Sequence, residues 1–239
     1  MAVETREIGY RVDGRTFRGY LADGSNGKKT AAVLVAHEGG GMTEHPKERA
    51  RMLAELGYVA FAMDTFGHPI TSREQAMETI QGLMGDLPQL RKRAQTALDL
   101  LKQQPNVDPK RTAAIGFCFG GTTVLELARS GADVGVVVGF HSGLQTSAPQ
   151  DAKSIKAKVL VCLGADDPII PIEQRNAFVD EMRAGGVDWQ MLVYGGVGHS
   201  FTNKEVDAMN LPGFKYDAVT DRRSWRAMRT LFDAELGTV

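Results

Sequence analysis

Apolar residues fall in short unbroken blocks along this chain, and the blocks alternate with longer stretches where apolar positions recur every three or four residues. Residues 31–36, 58–63, 112–115, 134–140 and 159–163 are such blocks. They read as strands covered on both faces, because a strand with one wet face would alternate polar and apolar. The stretches 47–56, 89–103 and 172–184 have helical spacing, clearest where Leu90, Ala94, Ala97, Leu98 and Leu101 share one face. Gly57, Gly131 and Gly185-Gly186 follow helices as stops. Residues 72–83 carry a weaker helical pattern, which Gly85-Asp86-Leu87-Pro88 breaks, and 221–236 form a last helix packing Trp225, Met228, Leu231 and Phe232. At the other end, 7–12 and 16–22 flank Asp13-Gly14-Arg15 and predict an antiparallel hairpin. Residues 144–156 and 203–216 read as irregular, and 189–194 as one more strand.

Strands alternating with helices predict an α/β fold: a mostly parallel central sheet of about eight strands, an N-terminal antiparallel hairpin and helices on both faces. A single domain over residues 1–239 is expected. In such a sheet the working edge is at the carboxyl ends of the strands.

Composition removes several partner classes. With 28 Lys plus Arg against 29 Asp plus Glu, the net charge of −1 offers no field for nucleic acid. No apolar run approaches the ~18 residues of a membrane span, and the N-terminal residues are charged from Glu4 onward, so a cytoplasmic protein without membrane partners is expected. Of the two cysteines, Cys162 lies within a strand-like block and reads as core rather than as half of a disulfide.

Cys118 stands elsewhere, in Gly116-Phe117-Cys118-Phe119-Gly120-Gly121, between an apolar block and a helix-like segment. A strand that turns sharply into a helix lifts one side chain above the sheet edge, and small neighbours let other backbone pass close by. The following helix end supplies free N–H groups that favour a thiolate and can hold an oxyanion. By itself the motif also fits a buried cysteine in an ordinary turn. Two further motifs decide it. An acid loop, Gly164-Ala165-Asp166-Asp167-Pro168, and then a histidine loop, Gly196-Val197-Gly198-His199, each follow a strand-like block, in the order nucleophile, acid, histidine.

Together with the Glu38 loop, Gly57-Tyr58-Val59-Ala60, Val107-Asp108-Pro109, Ala165 to Pro171 and His199-Ser200-Phe201, these motifs make the chain resemble the dienelactone hydrolase family of the α/β-hydrolase fold. The resemblance implies a cofactor-independent hydrolase of small carboxylic esters or lactones, working through an acyl-enzyme. It implies Cys118 as nucleophile, His199 as base, Asp167 as the acid orienting the imidazole, and Glu38 as a carboxylate holding the resting thiol. Asp167 is preferred to Asp166 because it lies four residues before Pro171, as the family spacing requires. Backbone N–H groups of Gly39 and Phe119 are the expected oxyanion hole. The family's carboxylate-binding arginine pair is replaced here by His68 and Asn203, with Lys204 a further candidate for substrate contact. His45, His68 and His141 could line a pocket, yet none has a metal-ligand spacing, so neither metal nor cofactor is expected. The expected partner is a small-molecule substrate, on a monomer or homodimer. The same residues leave open a small-molecule binding or thiol redox-sensing protein with little turnover, and acyl transfer to an acceptor other than water.

Overall fold

A computed structural model describes residues 3–238 of the chain. The N-terminal strands β1 (Glu4–Val12) and β2 (Arg15–Asp23) pair antiparallel with Val12 opposite Arg15. Their loop is therefore Asp13-Gly14 alone, both residues at positive φ (49° and 79°), as a two-residue hairpin of this twist requires. Then come β3 (Thr30–Ala36), β4 (Val59–Met63), β5 (Val107–Phe117), β6 (Val136–Phe140), β7 (Lys158–Gly164) and β8 (Trp189–Tyr194). All eight form one sheet in the order β1-β2-β4-β3-β5-β6-β7-β8, antiparallel through β4 and parallel beyond it.

Both sheet faces are buried, which is why the strand blocks are unbroken. Leu34 and Ala36 pack on one face with Leu98, Leu101 and Val124, while Val33 and Val35 pack on the other with Leu53, Met228 and Phe232. The helices of the described residues are α1 (Glu44–Glu55), α2 (Arg73–Met84), α3 (Leu87–Lys102), α4 (Phe119–Arg129), α5 (Ile172–Gly185) and α6 (Ala218–Leu236), and α1, α3, α4 and α6 supply those partners.

Several boundaries differ from the sequence expectation, each for a local reason. Pro88 does not break a helix; it begins one, in the first turn of α3, behind Asp86, whose carboxylate accepts the Gln89 N–H at 3.1 Å. α1 likewise starts before Pro46, which its first turn tolerates. α6 starts at Ala218 because Asp217 caps it by accepting the Thr220 N–H at 2.7 Å. β5 reaches back to Val107, since Val107 pairs with Thr30 and Thr112 with Ala32, and residues 108–111 bulge out between them. Pro109 sits in that bulge, where its missing N–H removes no ladder bond. Short 3-10 turns, Pro149–Ser154 and Lys204–Met209, occupy parts of the two stretches read as irregular. Cys162 is fully buried and unpaired in β7, and burial pushes its thiol up to about 12.

One buried charge cluster joins helices on the α3–α4–α5 side. Arg129 is fully buried, held by Glu181 at 2.7 and 2.8 Å, Glu126 at 2.9 Å and the Leu144 carbonyl at 2.9 Å. Among the described residues no helix is long and apolar enough to cross a membrane.

Candidate active site

β5 ends at Phe117 and α4 begins at Phe119, leaving Cys118 alone to make the turn at φ 53°, ψ −117°. A non-glycine residue pays for that conformation, so the surroundings must hold it. The neighbouring glycines answer to close packing. A Cβ on Gly120 would lie 2.1 Å from the Ala36 carbonyl oxygen, and one on Gly121 would lie 1.6 Å from Ser142 Oγ. The elbow is therefore wedged against the ends of β3 and β6, and the Cys118 N–H donates to the Phe140 carbonyl at 3.0 Å and to His141 Nδ1 at 3.1 Å.

The loops after β7 and β8 bring acid and histidine together. His199 Nδ1–H donates to Asp167 Oδ2 at 2.7 Å, and Asp167 Oδ1 accepts the Ile169 N–H at 2.8 Å. His199 is fully buried, and its Nε2 has no hydrogen-bond partner, so one ring nitrogen is spoken for and the other is open. Burial disfavours the imidazolium, but the charges of Cys118 and Asp167 outweigh it and raise His199 to about 10.

Glu38 stands at the end of β3 beside a different set of groups. Its carboxylate accepts a hydrogen bond from the Asn203 amide and lies 3.6 Å from His45 Nδ1 and 4.0 Å from His141 Nε2. Its hydrogen bond is to Asn203, and none joins it to Cys118. The other oxygen, Oε1, is buried without a partner, and burial raises the group to about 7.

Gly39 and Phe119 have amide N–H groups with no hydrogen-bond acceptor among the described residues. The substrate candidates fare differently from one another. Asn203 is buried and used at both ends, its Nδ2 on Glu38 and its Oδ1 on the Glu205 N–H. His68 is engaged with the Phe66 carbonyl at 3.1 Å and Thr79 Oγ1 at 3.3 Å, and it borders a hollow of about 620 Å³ that runs past Gly40, Met42 and Ile70. Lys204 is exposed, with its ammonium over the Tyr216 ring at 5.9 Å. Cys118 itself abuts an apolar wall in which Phe66, Leu83 and Phe119 pack with Ile70, Ile80 and Met84. Three of those residues come from α2, whose weak periodicity concealed a position over the site.

His45 and His141 do not border the hollow beside His68. Both are buried behind the elbow, His141 between Cys118 and Thr202, and His45 against Arg49, which reaches on to Asp221. The sequence signal of His141 was only its position just past β6, and that of His45 its place at the start of α1; nothing local marks Thr202 or Arg49.

An elbow residue, a buried acid–histidine pair and two unpartnered amides at the carboxyl edge of a parallel sheet define an α/β-hydrolase of the kind that cleaves esters and lactones. The chain belongs to the dienelactone hydrolase family, whose model matches residues 17–236. It is 42% identical to a dienelactone hydrolase-like promiscuous phosphotriesterase from metagenomic libraries, with a TM-score of 0.93 over 98% of this chain and 99% of the other. A solved structure named m3DLH is 47% identical, with a TM-score of 0.95 over 98% and 99% of the two chains. A Methylorubrum extorquens protein, provisionally named a carboxymethylenebutenolidase, is 27% identical over 89% of this chain and 75% of its own.

Proposed function

We propose that this enzyme hydrolyses small, uncharged carboxylic esters or lactones by covalent catalysis at Cys118. The thiol passes its proton to His199 Nε2 and the thiolate attacks the carbonyl carbon. The amides of Phe119 and Gly39 hold the oxyanion, and His199 then gives the proton to the leaving oxygen as the carbon–oxygen bond breaks. Water, deprotonated by the same imidazole, attacks the thioester, releases the acid and restores the thiol. Asp167 keeps Nδ1 protonated, so that Nε2 is the nitrogen that works.

The observation that carries this reading is the His199–Asp167 bond at 2.7 Å with Nε2 left open in a ring whose proton affinity Cys118 raises. The preference for uncharged substrates rests on the surroundings of the nucleophile. Away from His199, Cys118 packs on the apolar wall of Phe66, Leu83 and Phe119, and of the residues in the arginine positions Asn203 is spent on Glu38 and His68 on Thr79. A carboxylate there would lose its water without gaining a planar fork of donors.

Initial rates for a short-chain aryl ester, neutral lactones and an anionic dienelactone, for wild type and Cys118→Ala side by side, test both parts. Turnover of the neutral members that vanishes in the variant is expected. Equal rates for the two proteins, or a preference for the anionic lactone, would overturn the respective part. The phosphotriesterase among the similar structures gives reason to add a neutral aryl phosphotriester, where the thiolate would attack phosphorus and expel the aryloxide.

A further inference from the structure

We propose that His141 is a positioning residue that sets the separation of the nucleophile from its base, because its side chain touches the backbone of Cys118, the ring of His199 and the loop that carries His199. This rests on the reading of Cys118 and His199 as nucleophile and base, and adds a residue which that reading does not use.

His141 is the first residue past β6, fully buried, with φ 41° and its own N–H on the Cys162 carbonyl at 2.8 Å. Its Nδ1 accepts the Cys118 N–H at 3.1 Å, so Nδ1 carries no proton and the neutral ring bears its hydrogen on Nε2. That Nε2–H donates to Thr202 Oγ1 at 2.8 Å, three residues beyond His199. The His141 and His199 rings meet edge to face with centroids 5.2 Å apart. The far side is anchored as well: Arg49 donates to the Thr202 carbonyl at 2.6 Å, to His45 Nε2 at 3.2 Å and to Asp221 at 3.0 Å, tying the loop to α1 and α6. A strained elbow at φ 53° and a histidine loop from the opposite end of the sequence are thus spaced by one rigid ring, hydrogen-bonded at both nitrogens.

The ring also has to stay uncharged to do this beside His199. Burial, and then the positive charges of His199, His45 and Arg49, hold His141 well below the usual histidine range. A spacer of another kind, such as a phenyl ring, would fill the volume but leave the Cys118 N–H with the Phe140 carbonyl alone and Thr202 without its donor.

Two amide replacements separate positioning from filling. In His141→Asn the Oδ1 occupies the place of Nδ1 and can accept the Cys118 N–H; in His141→Gln the amide reaches the place of Nε2 and that bond is lost. With a short-chain aryl ester, kcat of the Gln variant is expected to fall about 10- to 100-fold, as for a misplaced reacting atom. The Asn variant is expected within about fivefold of wild type, with KM unchanged in both. Thr202→Val, which keeps the shape and removes the Nε2 partner, should lose a few-fold in kcat. Iodoacetamide alkylation of Cys118, read by peptide mass, should follow the same order without requiring any ester turnover. If wild type cleaves no ester, the hydrolase reading fails while the alkylation series still decides the role of His141. Equal kcat and equal alkylation rates in the Asn and Gln variants, whether both normal or both reduced, would overturn the proposal, as would a loss confined to KM. Should either His141 variant not fold, Thr202→Val carries the test, and its alkylating at the wild-type rate would count against it.

Discussion

Asp167 and Glu38 are both carboxylates just past a strand end, Asp167 buried and Glu38 nearly so, and both bond to the loop that carries His199, yet they are served differently. Asp167 has a donor on each oxygen, His199 on one and the Ile169 N–H on the other. Glu38 has the Asn203 amide on one oxygen and no hydrogen bond on the other, and burial raises it to about 7. The difference teaches that what a buried carboxylate does is fixed by the donors it meets. Asp167 is built to hold an imidazole, whereas Glu38 is poised to take up a proton.

If the Asp167 side is the catalytic one, its members should dominate the kinetics. Cys118→Ala should lower kcat for an aryl ester by about 10⁵-fold, the scale seen when a hydrolase loses its nucleophile. Asp167→Asn should cost about 10⁴-fold with the fold intact, because the amide favours the wrong tautomer of His199. On the Glu38 side the effects should fall on stability. Asn203→Leu leaves a buried carboxylate with no donor and should destabilise by about 1–3 kcal/mol at pH 8, read by urea unfolding, while kcat falls less than about tenfold.

The smallest effect is a slope. A carboxyl whose folded value lies above its unfolded value binds more protons when folded, so its contribution to stability is present at low pH and is lost as pH rises from the ordinary glutamate value, near 4.5, to about 7. Glu38→Gln should remove that component. The Tm of the variant relative to wild type should therefore rise between pH 5 and pH 8, and a flat difference would show that Glu38 is not raised.

The convergence of Cys118, Asp167 and His199 was legible in the sequence for physical reasons. Two-sided burial turns parallel strands into unbroken apolar blocks, and a sheet of such strands delivers whatever follows each block to one edge. The residues after 112–115, 159–163 and 189–194 therefore had to converge, and their types named their chemistry. What stayed hidden depends on side-chain reach between loops. Nothing in the Asn203 region says that its amide will find Glu38, 165 positions away. His141 shows only that it ends a strand. Pro88 read as a break because its neighbours are turn-formers, although proline suits a first helical turn behind an aspartate cap. Nor does the sequence show that α4 is buried all round, with the charges of Arg129 and Glu126 satisfied by Glu181 and Arg91 from neighbouring helices.

The most direct test of the central claim is a rapid-quench mass measurement on wild type mixed with excess short-chain aryl ester. The account predicts an intact-mass increase equal to one acyl group, mapped to the Cys118 peptide, that forms with the first equivalent of released phenol and decays at the rate of turnover. Steady phenol release with no acyl mass on Cys118, in a protein whose Cys118→Ala variant still turns over, would contradict it.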